Sequence, residues 1–154
     1  MAFMIFLIDD VSKSVAVKFL GSTPVHLIGN FLTLHLSSNA GAAFGIAQRG
    51  RGIFIAIAIG ALAVLLGFTR YVRSYTWALF LGLVLGGILG NLSDRLFRRG
   101  GMVVDWIEVP HWPIFNLADT SLVLGVIGIV ILMLRNTPLR TKDSGGAGHE
   151  GGWR

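Results

Sequence analysis

Three long apolar segments limit the folds that are available to this chain. Residues 52–68 and 75–92 contain no charged side chain, and residues 114–134 contain one, Asp119. An α-helix rises about 1.5 Å per residue, so each segment can cross a hydrocarbon core of roughly 30 Å, the shortest of them with little tilt. The sequence therefore predicts three membrane-spanning helices.

The composition agrees with a chain that is embedded in lipid. Of its 154 residues, 53% are hydrophobic and only 14% are charged, whereas soluble domains are about 25% charged. The absence of cysteine excludes a thiol nucleophile and cysteine-based metal sites. The net charge of +5 at pH 7 indicates basic segments that face anionic lipid head groups, and we expect no nucleic-acid partner.

The N-terminal segment, residues 1–20, predicts a fourth span that is less regular than the others. Its first residues are strongly apolar, but four charged side chains follow: Asp9, Asp10, Lys13 and Lys18. No basic residue precedes the apolar stretch and no small-residue cleavage site follows it, so a signal peptide fits poorly. We predict a short helix whose ionisable groups face the other helices, and we expect the natural start to lie upstream of Met1.

These segments together predict an all-α membrane protein: a four-helix bundle with a small extracytoplasmic β-rich subdomain. The membrane domain covers residues 1–136, and its spans lie at about 1–20, 52–68, 75–92 and 114–134. Basic residues slightly favour the side of the 69–74 turn, which predicts cytoplasmic termini and places the 21–51 and 93–113 loops outside. Residues 32–37 alternate between apolar and polar, as a surface strand does, and the Gly-rich residues 137–154 predict a disordered tail.

One face of the third predicted helix carries Gly82, Gly86 and Gly90 at four-residue intervals. Small residues at this spacing let two helix backbones approach closely in lipid. We interpret this glycine face as a helix-packing surface.

The polar side chains of the predicted spans gather at one end of the bundle. Asp119 lies about five residues into the fourth span, where an acid is costly unless it is paired or hydrated. Such an acid either has a functional role or is bonded to a neighbouring helix. The same end carries the following polar residues: Asn39, Asn91, Asp94, Arg95, Asp105, Glu108 and Asn116.

Asp105 lies between apolar residues in a loop that is short enough to fold back over the start of the fourth helix. Two carboxylates in a poorly hydrated site share one proton, which supplies a base to activate water and an acid to polarise a carbonyl group. Asp105 and Asp119 could thus form an aspartic peptidase pair. Their spacing alone is not specific, and a solvated loop carboxylate is the alternative for Asp105.

Asn91, Asp94 and Arg95 share one helix face if the third helix continues that far. They form either an ordinary charged helix end or a polar layer that orients the two carboxylates. The four histidines are scattered and show no zinc-binding spacing, so we expect no metal or other cofactor.

Five motifs in chain order resemble the lipoprotein signal peptidase family, also called signal peptidase II, and are similar to its high-GC Gram-positive members. They span most of the chain and are specific only in combination. The motifs are D-x-x-S-K at 9–13, N-x-G-x-A-F at 39–44, G-N-x-x-D-R at 90–95, V-V-D-W-I at 103–107 and F-N-x-A-D at 115–119. The chain departs from the family in having Trp106 where Phe is usual.

The resemblance implies a four-helix aspartyl endopeptidase of the bacterial cytoplasmic membrane. Such enzymes remove signal peptides from prolipoproteins by cutting just before a Cys that carries diacylglyceryl. The partners implied are lipid-modified signal peptides and membrane phospholipid, and we expect a monomer. The catalytic residues implied are Asp105 and Asp119, and the supporting or substrate-binding residues are Asp9, Lys13, Asn39, Gly41, Phe44, Asn91, Asp94, Arg95 and Asn116.

Two other functions need to be considered. A small proton-coupled transporter would carry ionisable residues at successive depths, but the second and third predicted spans contain none. A non-catalytic assembly protein would explain the glycine face but not the gathered acids. We therefore expect the peptidase, with the transporter as the alternative.

Overall fold

The computed structural model describes residues 1–41 and 47–140, and these residues are mostly helical. The helices of the described part are α1 (Ala2–Phe19), α2 (Ala47–Thr69), α3 (Tyr75–Phe97) and α4 (Leu117–Leu134). The strands are β1 (Val25–Ile28), β2 (Leu32–Asn39) and β3 (Val103–Glu108). A mostly helical chain with a small sheet is the fold that the sequence predicted.

Three of the described helices are long and apolar enough to cross a membrane. The qualifying segments are Arg51–Thr69, Tyr75–Phe97 and Leu117–Leu134. They coincide with the three charge-poor segments of the sequence. The N-terminal segment is also helical, as predicted. Helix α1 is not among the three candidate spans, because it contains four charged residues.

Two helix boundaries differ from the prediction in ways that matter for the site. Helix α3 continues to Phe97, so the polar residues after position 90 do share one helix. Helix α4 begins at Leu117 rather than at residue 114, because Phe115 is still extended and bridges to Ile107 of β3. Asp119 is therefore the third residue of α4, and the predicted depth of five residues is wrong.

The glycine face packs α3 against α1, as predicted. A Cβ atom on Gly86 would lie 2.8 Å from the Ala2 carbonyl oxygen, and one on Gly90 would lie 2.5 Å from Asp9 Oδ2. No side chain larger than hydrogen fits at these positions unless the neighbouring atoms move. The contact aligns the two helices in parallel, so that Asp9 lies level with Gly90.

The sheet is antiparallel, with the order β1-β2-β3. Strand β2 contains the predicted surface strand, whereas β1 and β3 were not predicted. The register pairs Ser37 with Asp105 and Asn39 with Val103. This pairing brings the end of β2 next to the carboxylate of β3.

The segment after α4 is ordered where the structure describes it. The backbone N–H groups of Arg73 and Ser74 donate to the Leu139 carbonyl oxygen, and the Trp77 indole donates to Thr137 O. Residues 137–140 therefore pack against the α2–α3 turn, contrary to the predicted disorder. The remaining residues of the predicted tail, 141–154, lie outside the described part.

Candidate active site

Asp119 is fixed by the way in which α4 begins. Asn116 caps the helix: its Oδ1 accepts the Asp119 backbone N–H at 2.9 Å, while Asp119 Oδ2 accepts the Asn116 backbone N–H at 3.3 Å. This reciprocal pair is a capping box, with Asp119 at its third helical position. The local fold of the helix terminus thus orients the Asp119 carboxylate.

Asp105 enters the same region from the sheet. Its side chain in β3 is only 2% exposed, and both of its oxygens accept hydrogen bonds from amides. Asn39 Nδ2 donates to Oδ2 at 3.0 Å, and Asn116 Nδ2 donates to Oδ1 at 2.6 Å. The carboxylate is therefore buried without losing its hydrogen-bond partners.

A third amide joins the two carboxylates into one network. Asn91 of α3 donates through Nδ2 to Asp119 Oδ1 at 2.7 Å, and its Oδ1 accepts from Asn116 Nδ2 at 3.2 Å. We call this set the amide–carboxylate network. Its members come from β2, α3, β3 and α4: Asn39, Asn91, Asp105, Asn116 and Asp119. The structure thus brings together these five site residues of the sequence analysis.

Burial changes the acidity of Asp105. Loss of hydration, together with the nearby negative charge of Asp119, raises the pKa of its carboxyl group from 3.8 to about 6. The hydrogen bonds from Asn39 and Asn116 act in the opposite direction, because they stabilise the ionised form. Asp105 thus holds its proton at mildly acidic pH.

A buried ion cluster lies beneath the network. Lys13 Nζ of α1 is 2.6 Å from Asp9 Oδ2 and 2.9 Å from Asp94 Oδ2, and it donates to Asn91 Oδ1 at 3.1 Å. The side chains of Asp9 and Lys13 are fully buried. We call Asp9, Lys13 and Asp94 the Lys13 cluster. A buried ammonium group requires such partners, because an unpaired charge in the interior is very costly.

The two acids of the Lys13 cluster also bind backbone. Asp9 Oδ1 accepts the Ala118 N–H at 2.8 Å, and Asp94 Oδ2 accepts the Val104 N–H at 3.2 Å. Ala118 and Val104 directly precede the two candidate catalytic aspartates. The Lys13 cluster therefore binds the backbone of both segments that carry these aspartates, the start of α4 and strand β3.

The two neighbouring arginines differ in their partners. Arg95 Nη1 donates to the Asn91 carbonyl oxygen at 3.1 Å, and its guanidinium carbon is 5.3 Å from the centre of the Phe54 ring. No carboxylate among the described residues lies within ion-pair distance of Arg95. Arg98, which the sequence analysis did not single out, pairs with Asp94 and Asp10. The sequence signal for the pair with Asp94 was the spacing, because residues four apart lie on the same face of a helix.

Gly41 is required by the turn that orients Asn39. Its backbone φ is +81°, which favours glycine, and a Cβ atom there would lie 2.7 Å from the Phe54 ring. The Gly41 N–H donates to Asn39 Oδ1 at 2.7 Å, which leaves the Asn39 Nδ2 group for Asp105. Phe44, the remaining site residue of the sequence analysis, lies outside the described residues.

A cavity of about 440 Å³ opens beside the network. Asn39 and Asp119 form its polar wall, and the rest of its wall is mainly apolar. The apolar part comes from the segment before α4 and from the first two turns of α4, including Trp112, Phe115, Val123 and Leu124. Such a cavity can hold an apolar peptide segment next to the Asp119 carboxylate, which is joined to Asp105 through the network.

Known proteins match this chain over most of its length. The family model described as signal peptidase (SPase) II matches residues 1–135. The lipoprotein signal peptidase of Streptomyces coelicolor is 43% identical over 139 residues, which is 87% of this chain and 68% of the relative. That of Mycobacterium tuberculosis is 42% identical over 138 residues, or 86% and 68% of the two chains.

Solved structures agree with the sequence comparison. A bacterial membrane enzyme determined by the in meso method at 2.3 Å resolution has a TM-score of 0.78 and 31% identity, and the match covers 92% of this chain and 89% of the other. A second, at 1.9 Å resolution, has a TM-score of 0.80 and 32% identity, with 88% and 91% covered. The resemblance that the five motifs predicted is confirmed, and the chain belongs to the signal peptidase II family of membrane proteases.

Proposed function

We propose that this chain removes signal peptides from diacylglyceryl-modified prolipoproteins by cutting just before the lipidated Cys. The observation that carries the proposal is the amide–carboxylate network, which holds Asp105 and Asp119 in one hydrogen-bonded unit next to an apolar cavity. Three proteins named lipoprotein signal peptidase are 37–44% identical to the chain. A transporter would not require this pairing.

The environments of the two carboxylates support different roles in hydrolysis. Asp105 is buried and keeps its proton up to about pH 6, so it can donate a hydrogen bond to the scissile carbonyl oxygen. Asp119 is half-buried on the cavity wall, where it can take a proton from the attacking water. That proton then passes to the leaving amine nitrogen as the C–N bond breaks, and the pair returns to its singly protonated state.

The proposed arrangement in the membrane has four spans. Helix α1 forms the fourth span, because its buried Asp9 and Lys13 face α3 and α4 while its apolar side chains stay exposed. Residues 1–136 then form one membrane domain. Both termini are cytoplasmic, and the network lies at the extracytoplasmic face. A reporter fused after Arg140 should remain in the cytoplasm, and export of that reporter would contradict this topology.

The cavity wall supports a substrate that reaches the site from the lipid. Val123 and Leu124 are about half exposed on α4, and Trp112 is 63% exposed at the rim. An apolar signal peptide and the acyl chains of a modified Cys can contact these side chains without leaving the hydrocarbon region. The polar atoms of the cleavage site then meet Asp119 at the first turn of the helix.

The deciding experiment substitutes each candidate catalytic aspartate. Asp105→Asn and Asp119→Asn, purified in detergent, should each cleave a synthetic diacylated prolipoprotein about 10³-fold more slowly, or worse, because neither variant can form the shared-proton pair. Asp10→Asn is the matched control, since its carboxylate is 48% exposed and pairs only with Arg98 among the described residues. Full activity in both site variants would overturn the proposal.

A further inference from the structure

A second cavity lies between α1 and the sheet and shares no lining residue with the cavity beside Asp119. Its volume is about 280 Å³, close to the lower limit of typical ligand pockets. Among the described residues that line it, the side-chain hydroxyl is that of Ser12, which already donates to the Asp9 carbonyl oxygen. We call it the α1 groove, and it is lined by Ser12, Val15, Ala16, Phe19, Leu20, Leu34 and Trp106.

The depth of the α1 groove follows from the glycine contact. Gly82, Gly86 and Gly90 meet residues 1–9 of α1, and the two helices run parallel. Residues 12–16 of α1 are therefore level with the last turns of α3, and residues 17–20 extend past its end at Phe97. This is the end of a candidate span, where glycerol esters and phosphates of a bilayer lie.

Two polar groups border the otherwise apolar groove. The Trp106 indole Nε1 is buried and has no hydrogen-bond acceptor within the described part of the chain, and such unpaired buried donors are uncommon. Lys18 is exposed, and its Nζ lies 5.3 Å from the centre of the Phe19 ring on the groove wall. None of the carboxylates described forms an ion pair with Lys18.

The rim of the groove continues into a surface suited to lipid. Phe19 is 71% exposed, and Val15 is 49% exposed on the same side of α1. Exposed apolar side chains next to an apolar groove at the end of a span are typical of a surface that contacts acyl chains. The basic Lys18 beside them complements a phosphate group.

We propose that the α1 groove binds one membrane glycerophospholipid with an anionic head group. An acyl chain fills the groove, its ester carbonyl accepts the Trp106 N–H once the indole turns toward it, and the phosphate lies beside Lys18. The assignment depends on α1 lying in the membrane, as proposed above, but not on the peptidase chemistry. Because Trp106 directly follows Asp105 in β3, the lipid would contact the strand that carries the buried carboxylate.

The test measures lipid that stays bound to the purified full chain. The protein is equilibrated with palmitoyl-oleoyl phosphatidylglycerol or with the matching phosphatidylcholine, and retained lipid is counted by native mass spectrometry. The wild type should retain one phosphatidylglycerol in preference to phosphatidylcholine. Val15→Trp should reduce this retention by about tenfold or more, because the added indole fills the groove.

Matched variants separate the parts of the site. Val17→Trp is the control, because Val17 is 48% exposed on the same helix but does not line the groove. Lys18→Gln should remove the preference for phosphatidylglycerol. Trp106→Phe removes the N–H donor together with the pyrrole ring of the indole and should weaken retention of both lipids.

Equal retention by Val15→Trp and Val17→Trp would overturn the proposal. Cleavage of diacylated prolipoprotein is measured separately on the same preparations in detergent. Loss of lipid retention with cleavage intact would leave the proposed function standing, and loss of the Asp105 and Asp119 chemistry would leave the lipid site standing.

Discussion

Asp9 Oδ1 accepts the backbone N–H of Ala118 at 2.8 Å, so a carboxylate in the middle of α1 binds the first turn of α4. The contact satisfies a helix-terminal donor that has no partner within its own helix. Asp94 also accepts a backbone N–H, that of Val104 in strand β3. Since Lys13 pairs with both acids, one buried ammonium group supports the positions of both candidate catalytic residues.

Replacing Lys13 should therefore affect folding and activity together. Lys13→Met leaves Asp9 and Asp94 buried with one cation fewer, and the free energy of unfolding should fall by about 3–5 kcal/mol. Thermal unfolding in detergent measures this loss. Arg99→Met changes the same charge on an exposed residue and should alter stability little. Equal stability of the two variants would refute the role assigned to Lys13.

Asn116 combines two roles that substitution can separate. Asn116→Ala removes both the helix cap and the amide that donates to Asp105, whereas Asn116→Ser retains a capping oxygen and loses only the amide donor. The alanine variant should be less stable than the serine variant by about 1 kcal/mol, and both should cleave slowly. Chemical unfolding and single-turnover cleavage assays distinguish the two effects. Full cleavage by Asn116→Ser would show that the amide is dispensable.

The raised pKa of Asp105 predicts an alkaline decline of activity. If protonated Asp105 is the acid, cleavage should fall as the pH rises through about 6, where this carboxyl group ionises. Asn39 donates a hydrogen bond that favours the ionised form. Asn39→Ala should therefore raise the pKa and shift the decline to higher pH. The pH dependence of kcat measures this, and a shift to lower pH would contradict the assignment.

The same pKa change affects stability. Because the folded-state value lies above the ordinary 3.8, the contribution of Asp105 to stability is fully present below about pH 4 and is lost as the pH rises through about 6. Asp105→Asn should abolish this part of the pH dependence of unfolding. Unfolding midpoints across this pH range provide the measurement, and an unchanged profile in the variant would count against the raised pKa.

The glycine contact predicts a position-dependent effect of adding one methyl group. Gly90→Ala would place Cβ against Asp9 Oδ2 and near Ala118, so the free energy of unfolding should fall by about 1–3 kcal/mol. Gly67→Ala is the control, because no described atom outside the local helix backbone lies within 4 Å of the added Cβ. A comparison of the two thermal midpoints tests the contact. The packing argument fails if the variants are equally stable.

The length of the uncharged apolar segments was sufficient to predict the three long spans, because such segments are uncommon in soluble proteins. It could not locate the start of α4, since Phe115 is as apolar in an extended segment as in a helix. Strand β3 was also missed: its first residues, Val103, Val104 and Asp105, are all buried, so they lack the alternation that reveals a half-exposed strand. The contact between Asn39 and Asp105 depends on that strand pairing.

The motifs located the site residues but could not describe their partners. The resemblance included Asp9 and Lys13 as supporting residues, and the structure adds that Lys13 pairs with two acids at once. These contacts join residues of α1 and α3 that are at least 78 positions apart in the sequence, so no local sequence pattern predicts them. Arg98 completes the set by pairing with Asp94.

The buried charges have a consequence for the protonation of the two aspartates. Lys13 and Arg98 offset the buried Asp9 and Asp94, while Asp10, the second partner of Arg98, is 48% exposed and is screened by solvent. Arg95 remains, close enough to Asp119 and Asp105 for a favourable Coulomb interaction with both. Arg95 offsets one carboxylate, so ionisation of both would leave these three side chains with a net charge of −1 in a poorly hydrated region. Local electroneutrality therefore acts in the same direction as burial and favours the protonated form of Asp105.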